Sequence, residues 1–264
     1  MSGDIYSSLS GASAAMQQME VVSQNIANSN TAGFKALRSN FEDLLYLERQ
    51  QPGVENADGD QRPAGLFVGL GTRISNTQLD LSAGSAIPDS GEFSMMIAGQ
   101  GFFQVTSGDK IGYTRAGNFF RNSEGDLVLG NGDGPRLEPI VQIPEGATGI
   151  SIASDGTITG ILDGDITPQE FGQIQLATFT NTTGLRPLGK NLFEETAASG
   201  PPIVDVPLEG TFGSIRQGFL EGSNADPVRE LINLIKTQRN FEMNSQSIQA
   251  ADEALQVIAN LRRF

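Results

Sequence analysis

The sequence predicts an α+β protein, in which N- and C-terminal helices pair as a coiled coil around a central antiparallel β-rich region. Three observations predict it. Apolar residues recur at helical spacing from Asp4 to about Asn28, and again from Pro227 to Arg262. Between residues 66 and 222 the pattern changes to short β-prone runs separated by turn residues, with no helical run of useful length.

The first helix rests on Ile5, Leu9, Ala12, Met16, Met19 and Ile26, spaced three and four apart. Ser23 fills the remaining place, and Val21 and Val22 widen the stripe. At the rise of an α-helix it would run for roughly 40 Å. The stretch SQNIANSNTAGFK, residues 23 to 35, follows it. Here Asn25 and Asn28 are expected to close the helix, and Gly33 permits a left-handed or tight backbone. Phe34 then anchors the exit into the β region.

A small β region precedes the main one. Residues 48 to 65, ERQQPGVENADGDQRPAG, are polar with few apolar anchors and read as an exposed loop or long hairpin. LFVGL, RISNTQLDL, EFSMMIAG, GFFQV, IGYTRAG, DLVLG, GISIA, TITGIL and FGQIQLATF read as strands. NSEGDLVLG and IASDGTITG set Glu-Gly or Asp-Gly between β-prone runs, a local hairpin signal. EETAASGPP, residues 194 to 202, is a second exposed segment.

The second helix opens on Asp226 as N-cap, with Pro227 at the first helical position. Leu231, Leu234, Phe241, Ile248, Leu255 and Ala259 follow a 3.5-residue repeat interrupted by Gln238, Ser245 and Asp252, while Ile232, Ile235 and Ile258 form a second flank. Its length would be roughly 54 Å. The expected division is residues 1–33 and 223–264 as an inner helical domain, 34–75 as a connecting β region with its polar hairpin at 46–65, and 76–222 as a β-rich outer domain.

Composition removes several function classes. The 17 basic and 31 acidic residues give a formal charge of −14. That balance disfavours nucleic-acid phosphate and anionic lipid as partners. The sequence has no Cys and no His, so disulfides, thiolate nucleophiles, histidine-based triads and most zinc sites are excluded. No apolar run is long enough for a membrane-spanning helix, and the N-terminus lacks the basic cluster of a cleaved secretory signal. GQGFF and GLGTR lack the third glycine of a dinucleotide fingerprint. NGDGPRLE and LDGDITPQE place Arg136 and Pro168 where a calcium loop needs glycine. NTTG at 181 matches a glycosylation sequon without supporting context. Acidic pairs for glycan hydrolysis have poor company, since Trp is absent and only 3 Tyr are present. No catalytic, cofactor or metal residue is assigned.

The helices are more informative. A partner helix of about 25 residues cannot cover both flanks of the C-terminal one, and apolar surface left over points to neighbouring subunits. A head-to-tail contact that does not close would produce an open helical filament.

SQNIANSNTAGFK resembles the motif near the N-terminus of bacterial flagellar rod and hook proteins, and GSNADPVRELINLIKTQRNFEMNSQSIQAADEALQVIANLRR resembles that family's closing signature. FEDLLYLERQQPG, GLGTR, IAGQGFFQV, YTRAGNF and TFTNTTGL…GKNLFEET are similar to distal-rod members, so the resemblance covers nearly the whole chain. It implies a structural subunit, not an enzyme, with the terminal helices at the inner core of a tubular axial structure. Distal-rod members carry an inserted segment after the first helix that is linked to rod stiffness. Residues 46 to 65 occupy its place, with Tyr46, Gln51, Pro52 and Gly53 as its marks and a more acidic tip, ENADGDQ. The implied partners are further copies of the chain, proximal rod proteins, hook protein, P-ring and L-ring proteins and the flagellar type III export apparatus, with no nucleic acid and no membrane insertion. The implied location is the periplasm-spanning rod of the basal body, reached without a cleaved signal peptide. Expected assembly residues are Ile5, Leu9, Met16, Met19, Ile26, Leu231, Leu234, Phe241, Ile248 and Leu255 on the helices, and Asn25, Asn28, Thr31, Gly33 and Phe34 at the joint, where Asn30 would also meet neighbouring chains. The alternatives are a proximal-rod or hook-type subunit, or more distantly a β-rich phage-tail or adhesin module.

Overall fold

A computed structural model describes residues 2–53, 64–108, 110–164 and 167–261. The chain divides into two compact units. The first comprises residues 1–27, 37–78 and 227–264, and the second residues 28–36 and 79–226.

In the first unit, helix α1 (Ser2–Ala27) packs along helix α2 (Pro227–Leu261) and also meets β1 (Leu37–Asp43) and β3 (Leu66–Gly69). Strand β2 (Tyr46–Gln50) pairs antiparallel with β3, and β1 pairs with β4 (Thr72–Leu79). The side of α1 that buries is set by small residues. Ala12, Ala14, Ala15 and Val22 are buried, whereas Leu9 and Met16 stand 56% and 51% exposed. Leu9 and Met16, both members of the expected stripe, therefore stay open on the single chain. A Cβ added at Gly11 would come within 3.0 Å of the Asn244 side chain, so the helices approach too closely there for large residues. Large side chains are displaced outward for that reason. On α2, Thr237 is buried and Leu234, Phe241 and Ile248 are half-buried, in keeping with the 3.5-residue repeat.

The second unit is β-rich, with every strand pair antiparallel. Its strands are β5 (Ala86–Pro88), β6 (Met95–Ala98), β7 (Phe102–Ser107), β8 (Lys110–Thr114), β9 (Phe119–Arg121), β10 (Leu127–Leu129), β11 (Arg136–Glu138), β12 (Thr148–Ile152), β13 (Thr157–Ile161) and β14 (Gln169–Gln173). They continue with β15 (Leu176–Thr178), β16 (Arg186–Gly189), β17 (Leu192–Glu194), β18 (Ile203–Asp205), β19 (Ser214–Gln217) and β20 (Phe219–Glu221). The largest sheet runs β16-β17-β8-β7, and the far edge of β7 is then shared by β11, which leads to β10 and β9, and by β15, which leads to β18. Strands β12, β13 and β14 form a separate three-stranded sheet.

Alternation builds the core. Phe103 and Val105 from β7, Leu127 and Leu129 from β10, Leu137 from β11 and Ile158 from β13 point to one side of their strands and are almost wholly buried. Phe103 meets Phe119 edge-on, with ring centroids 5.3 Å apart. FGQIQLATF, read as one strand, is two. Ile174 donates its backbone N–H to Gly156 and is fully buried between β14 and β15, which lets the chain leave one sheet and join the other.

Candidate assembly interface

Four places gather the residues that sequence reasoning singled out. The first is the outer face of the helix pair. Tyr6, Leu9 and Met16 on α1, and Leu231, Ile235 and Met243 on α2, are each at least two-fifths exposed. Ile5, Met19 and Ile26 are half-buried, as are Leu234, Phe241 and Ile248.

The second is the overhang of α2. The helix has 35 residues against 26 in α1. From Asp252 to Asn260 every residue is exposed, including Leu255 at 40%, Val257 at 58% and Ile258 at 47%. The rise over that stretch is about 13 Å. A helix apolar on more than one side and covered on none has large uncompensated hydrophobic surface.

The third is the β2–β3 ribbon. Leu45, Tyr46, Leu47, Leu66 and Phe67 are all about half exposed or more, with Leu45 at 82%. Tyr46 lies opposite Gly69 and covers it, a Cβ there falling 3.2 Å from the ring. Gln51, Pro52 and Gly53 continue outward from β2 as exposed residues, and Gly53 has φ +80°. Residues 54–63, which include the whole acidic tip ENADGDQ, lie outside the described residues. A two-stranded ribbon with apolar residues on both faces is marginal by itself in water.

The fourth is the joint, residues 28–36 of the second unit. α1 ends at Ala27, and Asn28 then accepts from the Thr31 amide at 3.1 Å and from the Thr31 hydroxyl at 3.3 Å. Asn25 has a different task from the one expected. Instead of closing the helix, its buried amide clips strand β1, donating to the Leu37 carbonyl at 2.8 Å and accepting from the Leu37 amide at 2.9 Å. Gly33 has φ +72°, and its N–H donates to the Glu221 carbonyl at 2.7 Å. A Cβ at Gly33 would stand 2.4 Å from the backbone nitrogen of Ala116, so glycine is required twice over. Phe34 is half-buried, its amide bonded to the Thr31 carbonyl.

Behind Gly33 lies a cluster that sequence reasoning missed. The Lys35 ammonium donates to Glu221 Oε1 at 2.6 Å and to the Ser82 carbonyl at 2.7 Å, with both Lys35 and Glu221 side chains 0% exposed. Arg115 Nη1 reaches Glu221 Oε2 at 3.3 Å, and its Nη2 donates to the Gly99 carbonyl at 2.9 Å. Its guanidinium also lies over the Phe102 ring, 5.3 Å from the centroid. Burial lowers the pKa of Lys35 from its ordinary value, opposed by the charge of Glu221; burial likewise lowers that of Arg115. Lys35 and Arg115 stand inside the quoted GFK and YTRAG stretches, but only the fold brings them to Glu221.

Among the described residues no group of three or more Asp, Glu, His or Cys is placed to hold a metal, and no helix is long and apolar enough to cross a membrane.

Three family models match the chain. "Flagella basal body rod protein" covers residues 5–35, "Flagellar hook protein FlgE/F/G D1 domain" residues 96–160, and "Flagellar basal body rod FlgEFG protein C-terminal" residues 216–261. The chain is 41% identical to the flagellar basal-body rod protein FlgG of Caulobacter vibrioides, over 96% of this chain and 97% of that one. It is 39% identical to FlgG of Agrobacterium fabrum, over 94% and 95% of the two chains. This chain belongs to the flagellar basal-body rod protein family. It is a structural subunit of the flagellar rod. Identity with the rod protein FlgF of C. vibrioides is lower, 32% over 92% of this chain, so a FlgG-type member fits better than another axial subunit. The first and last models fall on α1 with the joint and on β19 to α2, so the rod family's two end motifs are the helix pair and its attachments.

Proposed function

We propose that this rod protein is a distal-rod subunit that polymerises into a rigid helical tube and transmits motor torque to the hook. The observation that carries the reading is the overhang of α2, where Leu255, Val257 and Ile258 are exposed in the single chain. In a tube these residues, with Leu9, Met16 and Leu231, are buried by adjacent copies, each large side chain contributing about 1.5–3 kcal/mol. Half-buried Ile5, Met19, Ile26, Leu234, Phe241 and Ile248 complete the same seams. The helices form the inner core of the tube. Ordering of the helices is coupled to docking, which offsets its entropy.

The β2–β3 ribbon, with Tyr46, Gln51, Pro52 and Gly53, bridges axially neighbouring subunits and stiffens the tube. Exposed Leu45, Leu47 and Phe67 support this. Asn28 and Thr31 add hydrogen bonds to neighbouring chains at the joint. There they line a cavity of about 380 Å³ together with Asn131, whose buried Nδ2 has no partner. Proximal rod proteins, hook protein, and the P-ring and L-ring proteins are the further partners. The subunit reaches the periplasm through the flagellar type III export apparatus without a cleaved signal.

Deleting residues 255–264 tests the reading. The β-rich unit should keep its circular dichroism, while the truncated chain fails to enter basal bodies and cells lose motility. Normal motility would reject the proposal.

A further inference from the structure

The free edge of β18 combines three features that its internal packing does not require. Strand β18 pairs with β15 on one side and, among the described residues, with nothing on the other. Ile203 and Val204 on it are 53% and 40% exposed. It runs into a turn in which the Glu209 amide bonds to the Val206 carbonyl at 3.2 Å, with Pro207 second and Leu208 third. Leu208 has φ +72°, the left-handed backbone that a type II turn reserves for glycine. Its side chain is 57% exposed, so packing within the chain does not offset the strain. A bulky residue held in a costly conformation in order to face solvent points to function outside the subunit. Asp205 and Glu209, both exposed, frame this apolar centre with acid.

We propose that Ile203, Val204 and Leu208 form a docking surface for the β16 edge of a second copy of the chain. Strand β16 is the free edge at the other end of the run β16-β17-β8-β7-β15-β18. It offers the reciprocal arrangement, an exposed Leu188 framed by Arg186 and Lys190. Those two cations already pair with half-buried Glu194 and exposed Asp133, but are themselves 62% and 56% exposed, so the pairs are weak enough to exchange partners. In a chain with 31 acidic and 17 basic residues, most surfaces of two copies repel. A basic apolar edge therefore selects the register in which it meets an acidic apolar one. Pro202 and Pro207 bracket β18 and limit strand addition, so side chains and not a continued sheet make the contact. Because the two edges differ, the contact is head-to-tail and leaves the series open. This inference rests on the rod-subunit reading and extends its contacts from the helices to the β-rich unit.

The test uses the absence of cysteine from the chain. Full-length Leu188→Cys/Leu208→Cys protein is oxidised in isolated basal bodies and, separately, as concentrated purified chain. A ladder at multiples of 28.0 kDa on non-reducing gels is expected, with none from Ile140→Cys/Leu208→Cys. Incorporated double variant without a ladder would overturn the proposal. As a second arm, Leu208→Gly should raise the thermal midpoint, since it relieves the strain, yet lower incorporation at least tenfold. Wild-type incorporation of Leu208→Gly would also overturn it. Absence of the unsubstituted chain from basal bodies would instead refute the rod-subunit reading, and cross-linking of the purified chain would still decide this contact.

Discussion

Glu221→Gln is the sharpest perturbation of the joint. The carboxylate accepts from Lys35 at 2.6 Å, from the Gly84 amide at 3.0 Å and from Arg115 at 3.3 Å, and its side chain is 0% exposed. Glutamine preserves the volume and one acceptor. It removes the negative charge and turns an N–H₂ towards Arg115, where an acceptor stood. Two buried cations then lose their shared counter-ion, the case in which breaking a buried pair costs about 3–5 kcal/mol. For a unit of this size that corresponds to a fall in Tm of roughly 6–20 °C. Differential scanning calorimetry of the full chain at neutral pH reads the change directly. A fall of less than about 2 °C would show that the cluster holds little, since each kcal/mol should move Tm by at least that much.

Gly33→Val places a branched Cβ 2.4 Å from the Ala116 nitrogen in a left-handed conformation; export should persist while incorporation into the rod is lost, and normal swimming would refute this. The Tyr113 phenol, 2% exposed, is pushed up to about 12 by burial, with Glu195 adding to it. Because its folded value lies above the ordinary 10, Tyr113's contribution to stability is intact below that pH and lost as pH climbs to about 12. Alkaline titration of tyrosine absorbance should therefore show a late step that Tyr113→Phe removes; its persistence in the variant would assign it elsewhere.

The helices and the antiparallel centre were legible because they depend on period, which survives without tertiary knowledge. Gly33 was legible too, since a left-handed turn after a helix has few alternatives to glycine. The stripe Ile5, Leu9, Ala12, Met16, Met19 and Ile26 carries the helical period, but not that Ala12 buries while Leu9 and Met16 stay open. Close helix approach instead favours small side chains, and these carry little hydrophobic signal. Asn25 was read as a helix stop because asparagine commonly serves there, yet its amide satisfies both backbone groups of Leu37. The Lys35–Glu221 pair spans 186 positions, and a contact of that separation leaves no local pattern. Leu208 is invisible for the opposite reason. Pro207 announces a turn, but the local rule then asks for glycine, and the sequence departs from that rule.

The joint has a property that no single residue reveals. The chain enters or leaves the β-rich unit at four points, beside residues 28, 36, 79 and 226. Within that unit the segments at these points are tied to one another. The Asp80 amide bonds to the Ala36 carbonyl at 2.8 Å, the Ala36 amide to Asn224 Oδ1 at 2.7 Å, and Asn224 Nδ2 to the Asp80 carbonyl at 2.7 Å. Lys35 adds the Ser82 carbonyl and Glu221, and Gly33 adds the Glu221 backbone. A load reaching the β-rich unit along any one of these segments is shared at once with the others. Parallel hydrogen bonds resist shear together, whereas separate attachments would yield one by one. Polar groups serve here because they fix direction as well as contact, which an apolar patch of equal size does not. For a subunit whose proposed work is to pass torque, a joint of fixed direction is what the buried charge supplies in return for its desolvation.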